Sequence, residues 1–90
     1  MTPCRECPWR RSAAPGWLGS ETVAYWLRAA HSDCVMMCHI RAGQCTGAAI
    51  YRANVAKLPR DPKCLRMPRD TETVFAGPVE FQTYHEQFKP

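Results

Sequence analysis

Pro3-Cys4-Arg5-Glu6-Cys7-Pro8-Trp9-Arg10 stands near the start of the chain, and Cys34-Val35-Met36-Met37-Cys38-His39-Ile40-Arg41-Ala42-Gly43-Gln44-Cys45 follows further on. The first stretch holds a Cys-x2-Cys pair, whose spacing lets two thiolates turn onto one metal ion. The second offers three more cysteines and a histidine. The 26 residues between Cys7 and Cys34 have room for one helix that folds back and brings the two groups together. This arrangement decides the fold, because 90 residues with eight prolines and five glycines make a poor core on their own. A domain of that size buries only somewhat more than ~60% of its unfolded surface, and small scaffolds commonly need a disulfide, a metal or a partner.

No apolar h-region follows Met1-Thr2-Pro3, so a reducing cytoplasm is expected, where clustered cysteines bind metal more often than they form disulfides. Six cysteines compete for four places. Cys4, Cys7, Cys38 and Cys45 are the expected ligands. Cys38 ends a strand-like run, and Cys45 precedes a helix start, where the dipole favours a thiolate. Cys34 and His39 are alternates, since zinc accepts a Cys₃His set; otherwise Cys34 and Cys64 are plain buried thiols. Zinc in a closed site would supply folding free energy. A [4Fe–4S] cluster is the alternative, because it also takes four cysteines and Cys7-Pro8 matches the Cys-Pro of bacterial ferredoxins.

Outward from the cysteines, the expected fold is a small metal-stapled α+β domain spanning residues 1–90, with about three short helices and minimal β-structure. Ser20 reads as an N-cap for a helix over 21–31, with Val23, Trp26, Leu27 and Ala30 on one stripe. Val35 to Ile40 reads as a short strand. Thr46 caps a second helix over 47–58, bearing Tyr51, Val55 and Leu58 and closed by Pro59. Residues 59–70 form a basic, proline-rich connector, and 71–75 is strand or turn. Pro78 at N1 opens a helix over 78–88, with Phe81, Tyr84, His85 and Phe88 on one face. Trp26 is expected in the core, Trp9 over the metal loop, and Trp17 either exposed as a protein-binding anchor or laid over a helix.

With Pro3 to Arg10, Met37-Cys38-His39 and Cys45-Thr46-Gly47 in view, the chain resembles a family of small uncharacterised proteins carried by bacteriophages and some actinobacteria. Their shared pattern is Cys-x2-Cys-Pro-Trp-Arg, a later Cys-His and a Cys-x-Gly. The resemblance covers residues 3 to about 50. It implies Cys4, Cys7, Cys38 and Cys45 as the ligand set, leaves Cys34 and Cys64 outside the pattern, and implies a phage origin and a host cytoplasm. The family has no established activity, so no reaction follows from it.

The net charge of +4 is unevenly spread. Residues 52–69 carry six cations against Asp61 alone, a net of +5, whereas residues 70–90 carry −3. Arg60, Lys63, Arg66 and Arg69, with Arg5, Arg10 and Arg11 beside the cysteine loop, are the expected contacts for a host protein or a nucleic acid. Their alternative role is to solvate a loop. The chain shows no His-Glu-x-x-His, phosphate loop or Gly-x-Ser-x-Gly. Pro3-Cys4-Arg5-Glu6-Cys7 matches half of a zinc-deaminase signature, but no His-x-Glu accompanies it. A non-catalytic binding module is therefore expected, with no membrane span.

Overall fold

The computed structural model describes residues 2–38, 40 and 42–87. Among them stand three helices, α1 (Val23–Ala30), α2 (Thr46–Asn54) and α3 (Pro78–Glu86), with α1 packed on both others. No helix of the described residues is long and apolar enough to cross a membrane.

The first helix is shorter than its periodicity suggests. Thr22, not Ser20, is its N-cap, and the Thr22 hydroxyl accepts the Tyr25 N–H at 3.1 Å, which satisfies one of the orphan donors of the first turn. Val23, Trp26 and Ala30 are buried on the expected stripe. The second helix starts at Thr46 with Cys45 as its cap, so the cap lies one residue earlier than expected. It also ends well before Pro59. Ala56 turns left-handed with φ of 58°; its N–H bonds Ala53 O, and the Lys57 N–H bonds Arg52 O at 2.9 Å. That is a Schellman closure with alanine where glycine is usual, and it leaves Leu58 exposed. The third helix starts at Pro78 as expected. Phe81 and His85 of its stripe are buried, and Phe88 lies outside the described residues.

The sheet part of the α+β expectation is reduced to two isolated bridges, Met37 with Gln44 and Arg10 with Val74. Among the described residues of 35–40 no strand forms: the Met37–Gln44 bridge is flanked by the Cys45–Met36 and Cys38–Gly43 hydrogen bonds, and the pairing extends no further. Residues 71–75 are a turn ending in the second bridge. The Asn54 side chain holds that turn: its amide donates to Val74 O and Phe75 O, and its carbonyl accepts the Asp70 N–H at 2.8 Å.

The core is aromatic. Trp9 is fully buried and stacks on Phe81 with centroids 4.3 Å apart, with Tyr51 at 4.5 Å and Trp26 at 6.0 Å. Burial pushes the Tyr51 hydroxyl up to about 12. Trp17 is 42% exposed, as the anchor reading requires.

His85 ties α3 to the first loop. The Gly16 N–H donates to Nδ1 at 2.9 Å, so the ring proton sits on Nε2, which donates to Pro8 O at 2.8 Å. A second proton would have to occupy Nδ1, where it would face the Gly16 N–H. Burial accordingly lowers the His85 pKa. A histidine held neutral by the fold contributes stability that is full above its unfolded pKa of roughly 6.5 and is lost as pH falls below it. Between pH 8 and pH 5.5 the parent should therefore lose more melting temperature than His85→Gln. Equal losses in a thermal scan would show that the ring is not held neutral.

Candidate functional site

Two turns bring distant cysteines together. In the first, the Cys7 N–H bonds Cys4 O and the Arg10 N–H bonds Cys7 O, both at 3.1 Å. The Arg10 guanidinium then folds back over this turn, donating to Cys4 O at 2.9 Å and Pro3 O at 2.8 Å. In the second, the Cys45 N–H bonds Met36 O at 2.8 Å and the Cys38 N–H bonds Gly43 O at 2.9 Å. Gly43, with φ of 108°, supplies the left-handed residue this reversal requires. Cys38 and Cys45 thus flank the Met37–Gln44 bridge of a short hairpin and line the same cavity. The Cys38 thiol stands 3.8 Å from the Cys4 sulfur, and Cys7 Sγ lies against Gly47 in the first turn of α2, beside the Cys45 cap. Cys4, Cys38 and Cys45 line an open cavity of about 300 Å³ together with Gln44 and Thr46.

The electrostatics separate the two inner thiols. The Cys45 thiol is lowered to about 7, first by the hydrogen bond from Cys7, then by the Ala48 and Gly47 N–H groups and the nearby Arg52 charge, against the opposing effect of burial. The Ala48 N–H reaches Cys45 Sγ at 3.4 Å, which places the sulfur at the positive end of α2. Cys7 is pushed up, because it is the donor in that bond and because it is buried, although the Trp9 backbone N–H works the other way. Of the two, Cys45 is therefore the thiol that ionises first.

Among the described residues, no group of three or more His, Cys, Asp or Glu side chains is disposed to hold a metal ion. The four thiols form contacting pairs, Cys4 with Cys38 and Cys7 with Cys45. The donor chemistry nevertheless fits a soft or borderline ion. Four thiols come from two turns, and backbone N–H groups favour the charged form of two of the sulfurs. The 3.8 Å Cys4–Cys38 separation also matches a tetrahedral edge, which is about 3.8 Å for a Zn–S bond of ~2.3 Å.

The remaining candidates scatter. Cys34 is exposed rather than buried, and its sulfur accepts from the Ser32 hydroxyl at 2.9 Å. Cys64 is buried, and its thiol meets Asp33 O at 3.3 Å. His39 lies outside the described residues. Of the basic residues, Arg5, Arg60, Lys63, Arg66 and Arg69 are exposed. Arg66 donates to Pro59 O at 2.6 Å. Arg10 and Arg11 are turned onto the chain: Arg10 over the Cys4 turn, and Arg11 onto Thr71 O at 2.7 Å and Glu80 at 2.9 Å. Arg52 leaves the basic run altogether. It is buried, and its guanidinium caps the end of α1 through Ala30 O, Ala29 O and Cys34 O.

Gly47 is the site residue that the spacing alone did not single out, and Cys45-x-Gly47 was the available signal. A Cβ at this position would lie 2.3 Å from Cys7 Sγ and 3.2 Å from Trp9 Cβ. Gly47→Ala should therefore drive the Cys7 thiol away from Cys45 while leaving α2 with a better helix former. The expected outcome is a lower melting temperature together with a rise of the lowered Cys45 titration toward the ordinary thiol range, read by thiol absorbance against pH. An unchanged titration would remove Gly47 from the site. No family model, curated protein or solved structure matches this chain.

Proposed function

We propose that the chain is a zinc-stapled, non-catalytic binding module in which Cys4, Cys7, Cys38 and Cys45 hold one ion. The carrying observation is that cysteines from residues 4 to 45 meet in two sulfur contacts, at the 3.8 Å spacing of a single-ion edge. Binding would draw the two pairs onto one centre. That spacing favours a single ion over an iron–sulfur cluster, whose cysteines cap separate iron atoms and stand farther apart. A closed four-thiolate zinc has no open position for a substrate, so the ion's role is to stabilise the fold.

The partner is an acidic surface, on a host protein or a nucleic acid, met through Arg5, Arg60, Lys63, Arg66 and Arg69. These side chains are exposed, and prolines hold their segment stiff, which lowers the ordering cost of contact. Metal analysis of anaerobically purified protein tests the first half. One zinc per chain in a colourless preparation is expected, and a brown preparation rich in iron would overturn it. For the partner, Arg60, Lys63, Arg66 and Arg69 changed together to Glu should abolish salt-sensitive binding to duplex DNA or to co-purifying proteins with the zinc content unchanged. Parent-like binding would reduce the connector to a solvated loop.

A further inference from the structure

We propose that the same four thiols form a peroxide-sensitive switch with a defined pairing, Cys4 to Cys38 and Cys7 to Cys45. The pairing follows from the sulfur contacts, and only the accompanying release of metal rests on the zinc reading above. Cys4 and Cys38 are 3.8 Å apart at sulfur, so a bond of ~2.05 Å requires an approach of roughly 1.8 Å. Cys7 Sγ lies against Gly47 in the first turn of α2, the helix that Cys45 caps, which places the Cys7 and Cys45 thiols side by side. In each pair the two thiols belong to different turns, so closing both bonds would cross-link the first loop to the hairpin and to the start of α2.

The cavity sets the order of attack. Cys4, Cys38 and Cys45 line it, whereas Cys7 is 1% exposed. Hydrogen peroxide entering there would meet Cys38 before its buried partner Cys4, and in the second pair Cys45 before Cys7. The thiolate sulfur attacks one peroxide oxygen, the O–O bond breaks, and the departing hydroxide takes a proton to become water, which leaves a sulfenic acid. The neighbouring thiol, Cys4 or Cys7, then loses its proton and attacks that sulfur. The S–O bond breaks, and the hydroxide leaves as a second water. Each disulfide consumes one peroxide, which takes the two electrons. Both disulfides together would remove all four thiolates that the zinc reading assigns as ligands, and a bound ion would then be released. A dithiol reductant restores the thiols.

Cleavage after Arg5, Arg10, Arg28, Arg41 and Arg52 separates the four cysteines into peptides 1–5, 6–10, 29–41 and 42–52. The test oxidises a Cys34→Ser, Cys64→Ser chain with two equivalents of hydrogen peroxide, blocks residual thiols with N-ethylmaleimide, and maps the tryptic peptides without reduction. The expected bridges join 1–5 to 29–41 and 6–10 to 42–52, with zinc appearing in solution at the same rate. A bridge from 1–5 to 6–10, or four alkylated thiols after peroxide, would overturn the pairing. The unsubstituted chain is run in parallel: peptides 6–10 and 42–52 each hold one cysteine, so their bridge is read there even if the double variant fails to fold. Zinc is measured before oxidation. A zinc-free chain with the expected bridges would overturn the zinc reading alone, and a zinc-loaded chain with other bridges would overturn the pairing alone.

Discussion

If the four thiols hold zinc as proposed, Cys45→Ser should leave the protein without metal and largely unfolded at room temperature. Serine is a better N-cap than cysteine, so the start of α2 is preserved and the loss reports the thiol alone. Cys45 is the partner of Cys7 and lies beside Cys4 and Cys38 around the cavity. Its removal strands a buried Cys7 thiol and opens the ligand set. Structural zinc in small domains contributes on the order of 10 kcal/mol, as much as the whole stability of a typical domain. Zinc content and far-ultraviolet circular dichroism would read both effects. Cys64→Ser is the control: Cys64 has only a thiol contact to Asp33 O and should keep the parent's zinc and melting temperature. Full zinc content and an unchanged transition in Cys45→Ser would refute the site assignment.

Trp9→Ala is expected to cost about 3–5 kcal/mol, the range for emptying a buried aromatic site. Trp9 is the hub of the core, in contact with Phe81, Tyr51 and Trp26. Its backbone also pairs with the 71–75 turn, where the Phe75 N–H bonds Trp9 O at 3.3 Å. Trp9→Phe should be much milder. The buried indole Nε1 has no hydrogen-bond partner among the described residues, and an unsatisfied buried donor costs about 1–3 kcal/mol. Phenylalanine removes that donor while keeping most of the ring. Urea unfolding of the two variants measures the difference. A Trp9→Ala chain within ~1 kcal/mol of the parent would mean that this cluster is not what holds the loops on the helices.

Local chemistry alone determined the existence and rough place of all three helices. Val23, Trp26 and Ala30 recur at helical spacing, and Pro78 suits a first turn because its missing N–H has no intrahelical partner there. Cysteine spacing and the adjoining helix start favoured four thiols, with Cys34 and His39 as alternates, and the fold sets Cys4 against Cys38 and Cys7 beside the start of α2 that Cys45 caps. Only the tertiary structure decided the rest. Which thiols touch depends on how the 36–45 hairpin docks on the first turn, and no residue spacing encodes that docking. The end of α2 was set by the Schellman closure at Ala56, a conformation that alanine does not advertise. Arg52 reads as surface charge until α1 ends beside it with the Ala30, Ala29 and Cys34 carbonyls within reach, which then draw a guanidinium into the interior. Arg10 and Arg11 turned inward for the same reason, because backbone oxygens of folded turns came within their reach. Among the described residues of 35–40, β-pairing stopped at one bridge and its two flanking hydrogen bonds, because β-structure draws its hydrogen bonds from a partner strand and the fold put only the short 43–45 segment beside this run.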